Sequence, residues 1–305
     1  HNHRIHGLKI FGSINQLSRI KLKFDRILIC APSISKDKLL KIISECKKSG
    51  KRYQIVPSLF ELIDKDVSLA SVRDVSPVDL LGREEIKLDM LSIDKFIRDK
   101  RILISGAGGS IGSELLNQCI NFMPSEIVCV EFSEEKIFDI QNSISNINPR
   151  IIIKTSLVDI KNINELEKIF IENKPQIVFH AAAYKHVPIQ ELHPWTAVNT
   201  NIGGTANLVN LSDSFDVEKF VLVSTDKAVN PTNIMGATKR IAEKLIQSKN
   251  AVSKTQFMAV RFGNVLGSSG SVIPIFQKQI KNGGPITITH PQMNRFFMSI
   301  HEASQ

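Results

Sequence analysis

From Lys100 onward, short continuous apolar runs alternate with amphipathic segments. RILISG (101–106), EIVCVEF (126–132), IIIKTSLVDI (151–160), QIVFHAAA (176–183), KFVLVSTD (219–226) and QFMAVRFGNV (256–265) read as strands. SIGSELLNQCI (110–120), INELEKIFIEN (163–173), TAVNTNIGGTANLVNLS (196–212) and MGATKRIAEKLIQS (235–248) read as helices between them. Strands that are apolar throughout, rather than alternating, are buried on both faces. That pattern predicts a Rossmann-type α/β fold, a doubly wound parallel sheet with helices on both sides. A smaller Rossmann-like unit is expected before it. FDRILICAPS (24–33) and RYQIVPS (52–58) are strand-like and flank KDKLLKIISECKKSG, whose Leu39, Leu40, Ile42, Ile43 and Cys46 form a helical stripe. The pattern divides the chain into an accessory domain over 1–66, a connector without clear periodicity over 67–97, and a larger domain over 98–305.

Composition narrows the class. The chain has 305 residues, 42% hydrophobic and 23% charged, values that exclude a disordered, collagen-like or coiled-coil chain. No apolar run approaches the roughly 20 residues of a membrane helix, and no signal peptide is present. Cys30, Cys46, Cys119 and Cys129 have no CxxC spacing, so buried reduced thiols in a cytoplasmic setting are expected, with no metal site. The net charge of +9 would suit nucleic acid, but it is uneven. Residues 1–100 hold 20 Lys/Arg against 13 Asp/Glu, whereas the remainder holds 19 against 17. Residues 1–26 carry Arg4, Lys9, Arg19, Lys21, Lys23 and Arg26 against Asp25. The chain begins at His1 rather than methionine, so an upstream segment is expected. If that segment were membrane-embedded, the basic stretch would lie beside a cytoplasmic leaflet. No nucleic-acid role is assigned.

Two stretches carry chemistry. In SGAGGSIGSELL (105–116), Gly106, Gly109 and Gly112 lie between a strand and a helix. Glycines there let the backbone turn tightly and approach a pyrophosphate, whose charge sits on the helix N-terminus. The next strand ends in Glu131, placed to accept from an adenosine ribose and to repel a 2′-phosphate, which favours NAD over NADP. The other reading of Glu131 is the start of an acidic loop. Asp159 is placed for the adenine edge or, alternatively, as the cap of the following helix. The second stretch is VLVSTDKAVNPTNIMGATKRIAEKL (221–245). Thr225, Asp226 and Lys227 fall at the C-terminal end of a buried strand, where open α/β sheets bind ligands. Met235 and Lys239, four residues apart, share one helix face.

These stretches resemble the extended short-chain dehydrogenase/reductase superfamily, in which a strand-end Ser/Thr precedes a YxxxK helix. Within it the chain is similar to the CapD-type polysaccharide biosynthesis family of nucleotide-sugar 4,6-dehydratases. The likeness covers 70–305 through DLLGREEIKLD, SGAGGSIGSEL, FHAAAYKHVP, NTNIGGTANL, VSTDKAVNPTNIMGATKRIAE, RFGNVLGSSGSVIPIF and NRFFMSIHEA, in that order. The first 66 residues resemble the CoA-binding-like domain that precedes the catalytic domain in long, membrane-anchored members.

The resemblance implies tightly held NAD that is recycled in each turnover, a UDP-sugar substrate (UDP-N-acetylglucosamine), retention of configuration at C5, a homo-oligomer, and a place on the cytoplasmic side of the bacterial inner membrane. The implied cofactor contacts are Gly106, Gly109, Ser110, Ile111, Gly112, Glu131, Asp159, Ile160, Ala181, Ala182, Ala183 and Lys239. Lys239 meets the nicotinamide ribose, Thr225 the sugar C4 oxygen, Asp226 acts as acid for the C6 oxygen and Lys227 as base at C5, with the two roles open to sharing. Met235 stands where the superfamily has tyrosine, and a thioether takes up no proton. Ser269 stands where the family often has a basic residue. Lys185, His186, Asn264 and Arg295 are candidate substrate contacts. Asn201 is expected to fix sheet–helix geometry and Trp195 to pack in the core. Related catalytic domains continue past NRFFMSIHEA, so substrate-side elements are expected outside this chain. The alternatives are a nucleotide-sugar epimerase, which needs no C5 base, and a non-catalytic dinucleotide-sensing protein, which would not need Lys239.

Overall fold

The computed structural model describes residues 3–20, 23–31, 34, 36–56, 88–144, 150–268, 270–288 and 290–305. Ser269, residues 67–87 of the predicted connector and most of the DLLGREEIKLD motif lie outside them. The chain divides into two compact units, 1–85 and 86–305.

In the first unit, β1 (Arg4–Ile5) and β2 (Leu8–Lys9) form an antiparallel pair. β3 (Arg26–Ile29) and β4 (Arg52–Ile55) pair in parallel, and α1 (Lys36–Lys48) connects them. Leu39, Ile43 and Cys46 of the helical stripe are buried with Ile29 and Ile55. Leu40 is 41% exposed and turns away from this core. Cys30 is also exposed, contrary to the expectation of buried thiols. It follows the buried Ile29, and successive residues of extended chain point to opposite sides.

The second unit opens with α2 (Met90–Ile97), capped by Asp89, whose carboxylate accepts from Ser92 N. Residues 90–97 were expected to belong to the connector; instead they form this helix. Ile97 is 3% exposed and packs with Ile102 and Leu116, and Ile93 and Phe96 lie against the same cluster. Six strands follow: β5 (Arg101–Ser105), β6 (Glu126–Glu131), β7 (Ile152–Leu157), β8 (Ile177–His180), β9 (Lys219–Thr225) and β10 (Gln256–Phe262). They form one parallel sheet in the order β10-β9-β8-β5-β6-β7. The connecting helices are α3 (Ser110–Ile120), α4 (Glu134–Ile144), α5 (Ile163–Asn173), α6 (Val187–Leu192), α7 (Pro194–Ala197), α8 (Thr205–Ser214) and α9 (Ile234–Asn250), with a π-helical turn over Val198–Gly204. This is the doubly wound dinucleotide-fold order, with its switch point between β5 and β8.

Adjacent residues of β5 show why the strands are apolar throughout. Leu103 packs on one face with Phe170, Leu208 and Phe220. Ile102 and Ile104 pack on the other with Leu116, Ile127 and Phe179. Cys119 and Cys129 lie in that second core, where burial pushes both thiols up to about 12 and keeps them protonated. Trp195 does not enter a core. It lies on the four-residue α7 and is 76% exposed.

Beyond β10, β11 (Asn264–Val265) pairs in parallel with β12 (Phe297–Met298), and α10 (Val272–Lys281) lies between them in sequence. α11 (Ile300–Ser304) starts in a capping box formed by Ser299 and Glu302. It rests on α3, where His301 Nδ1 lies 2.9 Å from Glu114 Oε1 and Gln118 Nε2 donates to His301 O at 3.1 Å.

One buried ionic contact ties α9 to the sheet. Glu243, 1% exposed, accepts from Ser224 Oγ of β9 at 2.6 Å and from Arg261 of β10 through Nε at 2.7 Å and Nη2 at 2.5 Å. Arg240 Nη1 adds a longer contact at 3.3 Å. Burial opposes ionisation of Glu243, but the hydrogen bonds and charge of Arg261 outweigh it and hold the carboxyl at about 2. A carboxyl held below its unfolded value contributes stability above the unfolded pKa and loses it as pH falls through the folded one.

Two outcomes are expected. Leu208→Ala removes a fully buried side chain and lowers stability by about 2–5 kcal/mol in urea denaturation. The melting temperature of the unmodified chain falls between pH 4.5 and 2 in part through Glu243. Glu243→Gln melts lower at pH 7, and its melting temperature changes less across that acid window.

Candidate functional site

β5 ends at Ser105, and the chain must then reverse into α3. Gly106 adopts φ +68°, and a Cβ there would lie 2.6 Å from the Ala182 backbone. Gly112 sits in the first turn of α3, where a Cβ would come 2.1 Å from Gly106 O. The loop therefore folds onto its own helix and onto Ala181 and Ala182, leaving a cradle that side chains would fill. Gly109 caps α3, and Ser110 and Ile111 begin it, both half-buried. A helix N-terminus opening from such a loop favours an anionic group.

Glu131, 6% exposed at the end of β6, spans this loop and the next turn. Its Oε2 accepts from Gly108 N at 3.0 Å, and its Oε1 accepts from Phe132 N at 3.0 Å and Ser133 N at 3.2 Å. Asp159 accepts from Lys161 N at 2.9 Å and pairs with Lys161 Nζ at 3.2 Å. The cap of the following helix is Asn162, which accepts from Glu165 N. Ile160 is buried in the core, and a Cβ on Gly204 would meet its Cδ1 at 2.4 Å. Ala181, Ala182 and Ala183 follow β8, half-buried beside the glycine loop.

The second cluster forms at the end of β9. Thr225 Oγ1 donates to Asp226 Oδ1 at 3.0 Å and accepts from Lys227 N at 3.4 Å. Lys227 Nζ lies 3.0 Å from Asp226 Oδ1 and 3.4 Å from Asn264 Oδ1. Burial works against the Asp226 carboxylate, but the hydrogen bond and charge of Lys227, with the Thr225 hydroxyl, outweigh it and hold the group below the ordinary aspartate range. Gly263 lies beside this cluster, and a Cβ there would come 3.1 Å from Phe296 O. Thus Thr225, Asp226, Lys227 and Asn264 come together. Arg295 does not join them; its guanidinium is exposed and donates to Asn294 O at 3.1 Å.

α9 runs beneath. Asn233 caps it through Gly236 N at 2.8 Å, and Glu191 of α6 accepts from Ile234 N at 2.7 Å. Met235 and Lys239 both face inward, 4% and 7% exposed. Lys239 Nζ donates to Val223 O at 2.8 Å. Burial pushes the ammonium down to about 8, with the Glu243 charge opposing. Lys185 and His186 lie on the loop after β8. Desolvation lowers the pKa of both, and the Lys185 charge adds to the effect on His186. The His186 ring fills the space a side chain on Gly270 would need, its Cε1 being 2.4 Å from the Cβ position.

Two groups went unread in the sequence. His180, fully buried at the end of β8, sits 2.7 Å from Ser105 Oγ and 2.8 Å from Thr205 Oγ1. Thr205 gives its only hydroxyl proton to Asn201 O at 2.7 Å. His180 Nε2–H must therefore donate to Thr205, and Nδ1 accepts from Ser105. Burial and the nearby Lys239 charge push this imidazole down to about 3, so it stays neutral. The available signal was a polar residue closing an apolar strand beside the switch point. The other unread group is the Ser224–Glu243–Arg261 contact. Asn201 had been read as structural, and its amide holds Tyr184 N at 2.9 Å, Tyr184 O at 3.1 Å and Thr238 Oγ1 at 3.0 Å.

Among the described residues, no His, Cys, Asp and Glu are grouped to hold a metal, and no helix is long and apolar enough to cross a membrane. The glycine cradle, the α3 N-terminus and the Glu131 turn fit a dinucleotide.

Comparison with known proteins agrees with this architecture. Residues 102–305 match the family described as "Polysaccharide biosynthesis protein". The "Capsular polysaccharide biosynthesis protein CapD" of Staphylococcus aureus is 43% identical over 302 residues, covering 98% of this chain and 50% of that protein. The "Probable polysaccharide biosynthesis protein EpsC" of Bacillus subtilis (strain 168) is 43% identical over 308 residues, covering 100% of this chain and 52% of that protein. The chain thus spans about half the length of these relatives. The X-ray structure of Pen from Bacillus thuringiensis is 40% identical with a TM-score of 0.64, covering 68% of this chain and 64% of that one. With its six-stranded parallel sheet, its strand-end clusters and these matches, the chain belongs to the polysaccharide biosynthesis protein family, within the extended short-chain dehydrogenase/reductase superfamily.

Proposed function

We propose that the chain is the dinucleotide-binding and catalytic part of a nucleotide-sugar 4,6-dehydratase, with UDP-N-acetylglucosamine as substrate and C5 configuration retained. The observation that carries this reading is the Asp226–Lys227 pair at 3.0 Å, held at the strand end between Thr225 and Asn264. Oxidation at C4 alone needs no such pair, whereas loss of water across C5 and C6 needs both a proton acceptor and a proton donor.

Gly106, Gly109, Ser110, Ile111, Gly112 and the Glu131 turn would hold NAD, which would supply a hydride acceptor at C4 and a hydride donor at C6, so that one bound molecule would serve each turnover. Lys239 would hold the nicotinamide ribose, and its positive charge would favour hydride leaving the sugar. Thr225 donates to the C4 oxygen. With Met235 unable to take a proton, Asp226 receives the C4 hydroxyl proton. Once C4 is a ketone, the C5 proton is acidic. Lys227, in its neutral amine form, takes it and returns it to C5 when hydride reaches C6, and Asp226 protonates the departing C6 oxygen. Their direct contact lets the proton pass between them, so acid and base form one unit. Lys185, His186 and Asn264 lie on the substrate side and suit a diphosphate sugar. The basic stretch over residues 4–26 fits a place beside the cytoplasmic leaflet of the bacterial inner membrane, and the assembly is read as a homo-oligomer.

Incubation with UDP-N-acetylglucosamine in D₂O, followed by NMR, should give a 4-keto-6-deoxy product carrying deuterium at C5. A C4 epimer without C5 deuterium would replace this reading with an epimerase, and no turnover with NAD bound would favour a sensing protein. Asp226→Asn and Lys227→Ala should each lower kcat by about 10²–10⁴-fold while NAD stays bound; near-unchanged turnover in either defeats the assignment. Gly112→Ala should abolish NAD binding in calorimetry, because its Cβ would meet the Gly106 carbonyl.

A further inference from the structure

We infer that Glu243 and Arg261, which touch none of the proposed reacting groups, set the charge state of Lys239 and with it the alkaline limit of activity. The inference rests on the reading of Lys239 given above and adds a positioning pair to it.

Lys239 and Glu243 lie one helical turn apart on α9, on the face buried against the sheet. They attach to consecutive residues of β9, since Lys239 donates to Val223 O and Glu243 accepts from Ser224 Oγ. Thr225 and Asp226 follow directly, so this double attachment fixes the lysine against the strand end. Glu243 is the acid closest in sequence to Lys239, yet it forms no ion pair with that lysine. Arg261 holds it through a two-point fork and Arg240 through a longer contact. The carboxylate charge that would keep Lys239 protonated is thus balanced by two guanidinium groups.

The groups facing Lys239 can be named element by element. α9 supplies Glu243, and β9 supplies the Val223 carbonyl. β8 supplies His180, which is neutral, and Arg261 of β10 acts on the lysine through Glu243. Among them Glu243 acts to keep the lysine charged, and Arg261 weakens its effect. The direction of the shifts agrees, since burial lowers Lys239 and the Glu243 charge opposes that lowering.

The two partners of one ion pair should therefore act in opposite directions. Removing Arg261 leaves the Glu243 charge less opposed, so Lys239 keeps its proton to higher pH. Removing Glu243 takes away the charge that opposes burial, so the proton is lost at lower pH. A contact that served only to hold the fold would weaken stability in both variants and displace the lysine titration in neither direction selectively.

The test is a titration of the ¹³Cε signals of labelled lysine in the 305-residue chain, with Lys239 assigned by loss of its signal in Lys239→Arg. Arg261→Gln should raise the Lys239 midpoint by about one pH unit and Glu243→Gln should lower it by about one. Arg261→Lys, which keeps the charge, should stay near the unmodified value. Displacements of the same sign, or none, overturn the inference. If Glu243→Gln does not fold, the contrast between Arg261→Gln and Arg261→Lys decides alone, equal midpoints overturning it. The alkaline limb of kcat, measured on the same proteins, separates the two levels. A limb that ignores a displaced Lys239 titration removes Lys239 from the proposed reaction and leaves the charge control standing.

Discussion

A parallel strand covered by helices on both faces has nowhere to place a polar side chain except near its ends. That constraint organises the larger unit. Ser105, Glu131, His180 and Thr225 are the last residues of β5, β6, β8 and β9, and each opens a loop of the candidate site. The register aligns Ser105 with His180, so the neutral imidazole joins two strand ends on either side of the switch point. The chemistry therefore lies where the core runs out, and the packing that excludes water from the sheet also desolvates the groups at its rim.

Desolvation then acts differently on each group according to what else is near. His180 has hydroxyl partners and a cation in the vicinity, and becomes a fixed neutral linker. Glu243 has a guanidinium fork and stays charged despite almost complete burial. Lys239 has a single carbonyl partner and only indirect support from a carboxylate already claimed by arginine. The Asp226–Lys227 pair is more open, and its members face each other as well as the space above the strand. One fold thus holds an inert imidazole, a locked carboxylate, a lightly supported ammonium and an exposed Asp–Lys ion pair at the end of one sheet.

Much of this was legible in the chain. Continuous apolar runs identified the six strands because burial on both faces leaves few alternatives, and the glycine spacing identified the cradle because only glycine fits its contacts. Thr225, Asp226, Lys227 and Lys239 were legible from their place at a strand end and on one helix face. What escaped was of two kinds. Short elements escaped because their signal is brief: Ile93, Phe96 and Ile97 have helical spacing, but α2 has only eight residues. Trp195 was assigned to the core by its chemistry, whereas a four-residue helix turns it outward. Long-range partnerships escaped because sequence spacing does not encode them. Nothing local marks Arg261 as the partner of Glu243, eighteen positions earlier, or His180 as the partner of Ser105, seventy-five positions before it.

The clip between α11 and α3 bears on how such chains can diversify. The last helix grips Glu114 and Gln118 on the helix that opens at the glycine loop, and β12 beside it pairs with the strand carrying Asn264. The helix that opens at the glycine loop and the strand carrying Asn264 are thereby both tied to the last described segment. Residues 282–288 and 290–296 lie between α10 and β12, ahead of that clip. Substitutions there leave the α11–α3 contact and the β11–β12 pairing in place.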